Sequence, residues 1–251
     1  MTDYVYVNSI LNTRISNLIT NEQLHIYKKD LLSGLRSISY SNGKDLSSTI
    51  ENTLYDEKAE LYLIFDSDSF IIDYLYLSYD ISNIVYFLLY KKDDNFSKLS
   101  SLSKEEVKNL VLGESIHNKP WFNAQLLKDS DINNFITYAY NYFSSLLKGS
   151  MKMFYEYNMV IKNIELYFSS KDNRYNTQLI NYELNDDVIS DFCRDILSVK
   201  NKDISKIESL CYNKLLSSIE EDNYSYLVKY TILKNIELKK IMEFSLESEI
   251  I

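Results

Sequence analysis

The sequence predicts an all-α protein, and three observations carry that expectation. Only four Gly and one Pro occur in 251 residues. Apolar residues recur every three to four positions through most of the chain, and capping patterns stand just before several of those runs. Sheets and α/β folds turn often and draw on Gly and Pro to reach special backbone angles, whereas helices joined by polar turns need few of either. The same scarcity leaves few breaks for a linker, so the sequence reads as a single helical domain over 1–251, an elongated multi-helix body. With 45% hydrophobic residues, it can bury a core without disulfides or a metal.

The elements follow in order. Tyr4-Val5-Tyr6-Val7 has strand-like residues but runs straight into Ile10, Leu11, Ile15, Leu18 and Ile19, whose spacing predicts an opening helix. Thr20 with Gln23 forms a capping box and predicts a second helix from Asn21 to about Leu35. Ser41-Asn42-Gly43 reads as a turn. Leu46, Ile50 and Leu54 predict a third helix ending near Tyr55, while the run Leu61-Tyr62-Leu63-Ile64-Phe65 fits either a short strand or a buried helical turn. Ile81, Ile84, Val85, Leu88 and Leu89 predict an amphipathic helix from about Ser78 to Tyr90.

Ser103 with Glu106 is another capping box, and Gly113 stands where that helix ends. Ile116-His117-Asn118-Lys119-Pro120-Trp121 holds the only Pro and the only Trp. The residue before Pro is pushed out of the helical region, so a break falls here, the natural boundary between sub-lobes 1–117 and 118–251, with Trp121 plugged into the core beside it. Long periodic stretches follow over Ile132–Leu147, Met151–Phe168 and Asp203–Phe244, the last split near Asp222-Asn223, with Asp203 as N-cap of its first part.

The formal charge of −9 argues against nucleic acid, which needs a basic face to displace phosphate counterions. The pairs Lys28-Lys29, Lys91-Lys92 and Lys239-Lys240 lie among acidic residues and read as solvated patches near helix ends. The 23 Tyr fit either the codon bias of an AT-rich genome or a tyrosine-rich contact surface. Cys193 and Cys211 lack the spacing of a zinc cluster or a redox pair and read as reduced, buried thiols of a cytoplasmic protein. Met1-Thr2-Asp3-Tyr4 lacks the pattern of a secretory signal, and no segment reaches the ~18 apolar residues that span a bilayer.

No catalytic site is legible. His25 and His117, the only histidines, stand alone, and no nucleophile-elbow pattern accompanies any Ser. Gly34, Gly43, Gly113 and Gly149 lie too far apart for a phosphate loop. Asp66-Ser67-Asp68 with Asp73 lacks the Gly and closing Glu of an EF-hand and reads as a solvated turn; Asn185-Asp186-Asp187 reads as a helix cap. No enzyme activity, cofactor or metal is expected.

Two segments resemble a known family, the C/d-type stalk subunits of V-type and archaeal-type (A-type) rotary ATPases and ATP synthases, with a shorter relative found alongside bacterial V-type ATPases. Tyr79-Asp80-Ile81-Ser82-Asn83-Ile84 is similar to that family's helix motif, an aromatic-Asp-x-x-Asn core followed by apolar residues, and Tyr6-Val7-Asn8-Ser9 with Leu18-Ile19-Thr20 is similar to its first helix and exit. Phe154-Tyr155-Glu156-Tyr157 and Ile161-Lys162-Asn163-Ile164 resemble an aromatic-rich helix of the shorter relatives; Ile207–Leu216 and Tyr224–Lys239 resemble their two C-terminal helices. Ile10 and Asn12 stand where arginines are common in the standard C-type members, and the chain is shorter than those.

The resemblance implies a funnel-shaped helical socket, here shortened, that acts as a non-catalytic central-stalk part of a bacterial ion-transporting ATPase. Its partners would be the D- and F-type shaft subunits and the membrane proteolipid ring, and it would be cytoplasmic, held to the membrane through them. Tyr79, Asp80, Asn83, Tyr157, Lys162 and Asn163 would be partner contacts or structural motif residues. A helical adaptor or assembly factor, for that ATPase or for other partners, shares every compositional feature.

Overall fold

Side-chain caps set where many of the helices begin. The structure, a computed structural model, describes residues 2–27, 30–38, 40–129, 131–169 and 204–249. Among these it contains eleven α-helices, one short 3₁₀ helix and no strand, so the fold is all-α. The helices are α1 (Tyr4–Ser16), α2 (Asn21–Ile26), α3 (Leu31–Ile38), α4 (Leu46–Phe65), α5 (Phe70–Tyr90), α6 (Lys104–Val111), α7 (Ala124–Lys128), α8 (Ile132–Leu146), α9 (Gly149–Ser169), α10 (Ile204–Ser218) and α11 (Ser225–Glu249). The expectations for Asp203, Asn185-Asp186-Asp187, Cys193 and Lys28-Lys29 lie outside the described residues.

The strand-like opening is helical from Tyr4, because the Asp3 carboxylate accepts from the amides of Val5 and Tyr6 and supplies the cap. The Thr20–Gln23 capping box is present. The helix it starts does not reach Leu35, however. α2 ends at Ile26, and Asp30 opens α3 by accepting from the Ser33 amide at 3.0 Å. At the interruption the Tyr27 ring lies against Gly34 so closely that a Cβ there would meet its Cγ at 2.2 Å.

α4 also differs from the expectation, running ten residues past Tyr55 through Leu61–Phe65, where sequence left strand and helix open. α5 likewise begins at Phe70, well before Ser78. Between them Asp66–Asp68 forms the 3₁₀ turn, with Asp66 at φ 30°. This is not simply a solvated turn. The Tyr4 hydroxyl donates to Asp68, the Thr2 hydroxyl donates to the Phe65 carbonyl at 2.7 Å, and Asp73 is buried on α5.

The described chain forms two compact units. The first comprises 1–86, 90–103 and 226–251; the second comprises 87–89 and 104–225. The Pro120 break is a non-helical segment inside the second unit, and the division between units falls elsewhere.

In the first unit, Ile19, Leu24, Leu35, Tyr40 and Ile241 form one apolar cluster, flanked by Leu31, Ile38, Leu46, Ile50 and Leu238. The segment that begins near Tyr226 thus completes a core begun by the first helices. α5 is buried over much of its circumference, from Ile71 to Ile84. Burial of each such aliphatic side chain contributes about 1.5–3 kcal/mol before the entropy of ordering is counted.

In the second unit, Trp121 is buried as expected, its ring 5.1 Å from Phe143 and 6.1 Å from Tyr142, while Phe122 stacks on Phe135 at 5.8 Å. Gly113 (φ 92°) closes α6: its amide donates to Leu110 and that of Glu114 donates back to Asn109, the paired bonds of a left-handed helix stop. α9 packs against α10. The Asp222 carboxylate caps α9 from afar, accepting from the Ser150 amide at 2.6 Å, and also accepts from Tyr224 at 2.8 Å. The split expected near Asp222 is present.

Candidate functional site

The Asp-x-x-Asn pair of the family-like motif forms a buried, densely bonded polar site in the first unit. Asp80 and Asn83 are three residues apart on α5, hence on one face of the helix, and both are buried. A buried carboxylate is costly unless donors replace its water. Asp80 receives four: the Ser100 hydroxyl at 2.6 Å, the Ser101 amide at 2.5 Å, the Ser101 hydroxyl at 2.6 Å and the Leu102 amide at 3.3 Å. Asn83 pairs with Ser97 in both directions, its amide nitrogen donating to the carbonyl at 3.0 Å and its oxygen accepting from the Ser97 N–H at 2.9 Å. Together they fix both ends of the 97–102 segment.

α4 grips the same segment from its own side. Lys58, buried, donates to the Leu99 carbonyl at 2.8 Å, and its ammonium lies 5.2 Å from the Tyr76 ring centre and 5.9 Å from that of Tyr62. The Ser97 hydroxyl donates to Glu51 at 3.2 Å, and Lys98 donates to Asn52. Tyr62 in turn donates to Asp73 at 2.7 Å. Burial, then the Asp73 carboxylate, pushes the Tyr62 phenol above its ordinary range, and burial does the same to Tyr76 and Tyr79. These hydroxyls therefore remain protonated donors at any physiological pH. Tyr79 is half-buried, its ring 6.0 Å from Tyr76.

A second polar cluster ties α11 into the first unit. The Lys234 ammonium, 7% exposed as a residue, meets Glu237 at 2.8 Å, Glu57 at 3.4 Å and the Tyr40 hydroxyl at 3.1 Å, and sits 4.4 Å from the Tyr40 ring centre. Glu237 also accepts from Tyr40 at 2.9 Å and from the backbone amide of Ile19 at 2.6 Å. Beside it, Arg14 pairs with Glu60 and lies 5.9 Å from the Tyr230 ring centre. Burial first, and then the charge of Glu237 for Tyr40 and of Glu57 for Tyr230, raises both phenols.

The other three motif residues belong to the second unit. Tyr157 is buried on α9, the Lys162 ammonium lies 5.6 Å from the Tyr140 ring centre, and Asn163 is half-buried. Nearby Glu156 is 9% exposed, and burial raises its carboxyl despite the opposing charge of Lys152. The structure thus brings Asp80 and Asn83 together on one segment, with Tyr79 beside them, and places Tyr157, Lys162 and Asn163 along one separate helix.

Both histidines are exposed; His25 packs edge-on against Phe244 at 5.6 Å. Among the described residues no group of three or more His, Cys, Asp or Glu side chains is arranged to hold a metal ion. Sequence reasoning missed Glu51, Lys58, Lys234 and Glu237. A signal for three of them existed: Tyr230, Lys234, Glu237 and Ile241, like Leu54, Lys58, Leu61 and Phe65, are spaced as one helical stripe, so the charged members share the inward face of their apolar neighbours.

No family model matches this chain, and no curated protein or solved structure shows significant similarity to it.

Proposed function

We propose that this chain is a non-catalytic, C/d-type component of the central stalk of a bacterial V-type rotary ATPase, coupling the D- and F-type shaft to the membrane proteolipid ring. The observation that carries the reading is the use made of the motif's polar residues. Asp80 and Asn83 are turned inward and bonded to one segment of their own unit. A part that passes torque must hold its shape under load, and buried, fully bonded polar ties between packed helices serve that need. A reaction vessel needs polar groups turned toward an open site; the charges of Asp80, Lys58, Lys234 and Glu237 are instead met by internal partners.

The resemblance over Tyr79–Ile84 and along α9 to α11 supplies the identity of the partners. No helix of the described residues is long and apolar enough to cross a membrane. In this reading the chain reaches the membrane through its partners, and ion movement belongs to the ring. The test is affinity isolation of the tagged chain from native membranes. Stoichiometric recovery with shaft and ring proteins supports the reading; recovery only with incomplete complexes indicates an assembly factor, and recovery with neither refutes it.

A further inference from the structure

We propose that the buried ionic cluster around Lys234 is a register key: it selects the one position along its own axis at which α11 docks within the first unit. α11 turns Val228, Tyr230 and Ile232 inward together with Lys234, Glu237 and Ile241. It runs antiparallel to α4, since Tyr230 lies by the Arg14 that pairs with Glu60, Lys234 meets Glu57, and Ile241 shares an apolar cluster with Ile50 and Leu46. A slip of α11 by four residues, about 6 Å at 1.5 Å per residue, turns its inward face by only about 40°. The slip would bring Ile232, Ile236, Leu238 and Ile241 to the places of Val228, Ile232, Lys234 and Glu237. All four newcomers are apolar, so hydrophobic burial alone chooses poorly between the two registers.

The ionic cluster does choose. In the slipped register Leu238 would stand where the Lys234 ammonium now meets Glu57 and the Tyr40 hydroxyl. Ile241 would stand where the Glu237 carboxylate now accepts from the Ile19 amide at 2.6 Å and from Tyr40 at 2.9 Å. The Ile19 amide, the Tyr40 hydroxyl and the Glu57 carboxylate would each lose a partner, and leaving a buried polar group unmatched costs far more than a matched one gains. Lys234 itself would enter the place of Tyr230, beside the Arg14 guanidinium that now lies 5.9 Å from that ring's centre, so that like charge meets like. Apolar side chains accept many arrangements and a hydrogen-bonded charge accepts one; fixing register is the best-attested use of buried polar groups. Ile19, Tyr40 and Glu57 belong to three separate stretches of the first unit, so the cluster reads the position of α11 against all three. The key stands whatever other proteins the chain binds.

Moving the key tests it. Lys234→Leu, Glu237→Ile, Leu238→Lys and Ile241→Glu, combined in one whole chain, carry the lysine–glutamate pair four residues along α11. Spin labels at Ala59 and Lys240, both exposed and both in the first unit, report the helix position by pulsed distance measurement in a background lacking the native cysteines. We expect one narrow distance in the parent. The transposed variant should also give one distance, shorter by up to about 6 Å, because the slip carries position 240 toward the Glu60 end of α4. The double variant Lys234→Met/Glu237→Leu, which has no key, should keep its helical content by circular dichroism and show both distances. A transposed variant at the parental distance, or a double variant with the parental distance alone, overturns the proposal. Should the transposed variant fail to fold, the double variant decides. Loss of the helical fold in both overturns the proposal too, because the cluster then holds α11 in place without choosing where.

Discussion

Replacing Lys234 with Met tests the buried polar tie of α11 most severely. The substitution keeps much of the side-chain volume and removes the cation, leaving Glu237 and Glu57 with no ammonium between them. Glu237, 4% exposed, retains the Ile19 amide and the Tyr40 hydroxyl as donors, whereas the Glu57 side chain is 18% exposed and can recover some water. Breaking a buried pair from one side costs about 3–5 kcal/mol because an uncompensated charge stays behind. With two donors remaining on one carboxylate and solvent reaching the other, the lower end, about 3 kcal/mol, is expected. The double variant Lys234→Met/Glu237→Leu removes the more buried of the two stranded charges but orphans the Ile19 amide and the Tyr40 hydroxyl, at about 1–3 kcal/mol for a buried unsatisfied group. The double variant should therefore lose less than the two single losses added together. Urea unfolding followed by circular dichroism gives these differences. A Lys234→Met loss below about 1 kcal/mol, or strict additivity in the cycle, would refute the claim that this lysine is a buried cross-tie.

Three further outcomes follow from the geometry. Gly149→Ala places a Cβ 2.2 Å from an Asp222 carboxylate oxygen at a residue with φ 51°; with about 1–2 kcal/mol for the left-handed conformation alone and loss of the Asp222 cap added, thermal unfolding should show a loss of about 2 kcal/mol or more. Thr20→Ala removes the hydroxyl of the α2 capping box and should cost about 1 kcal/mol in the same assay. Glu156 has its folded-state carboxyl raised above the ordinary glutamate range, so the folded state holds its proton more tightly than the unfolded state. Stability falls as pH rises from that ordinary range through the raised value, and the full penalty is present above it. Glu156→Gln should therefore stabilise the protein at neutral pH, with the gain vanishing once the pH is low enough to protonate the unfolded-state carboxyl; a gain independent of pH would contradict burial as its cause.

Local chemistry made much of this fold legible. The Thr20–Gln23 box, the stop at Gly113 and the split near Asp222 are each written within a few consecutive residues, and each stands as expected. Elsewhere the deciding contact is distant or the pattern is silent. The break between α2 and α3 falls where Tyr27 lies against Gly34, a contact that no capping rule reveals. Leu61–Phe65 is apolar at every position and so has no period from which to choose helix over strand.

The site was half legible for a similar reason. Asp80 and Asn83 stood out through the resemblance, but the serines and backbone amides they hold lie 14 to 22 residues further along the chain. Lys58, Lys234 and Glu237 sit in no motif, and charge usually means solvent; only their place on an apolar stripe says otherwise. The tyrosine abundance gains a local account in the first unit, where Tyr40, Tyr62, Tyr76 and Tyr230 turn ring faces toward buried or half-buried cations.

Coupling itself is the most direct measure of the central claim. Reconstituting the rotary ATPase in vesicles with and without this chain, and following ATP hydrolysis and ion uptake in parallel, separates a stiff connector from a catalytic part. Hydrolysis by the detached head should persist without the chain while ion uptake is lost, and both should run together when it is restored. Ion uptake that proceeds unchanged in its absence would contradict a coupling role.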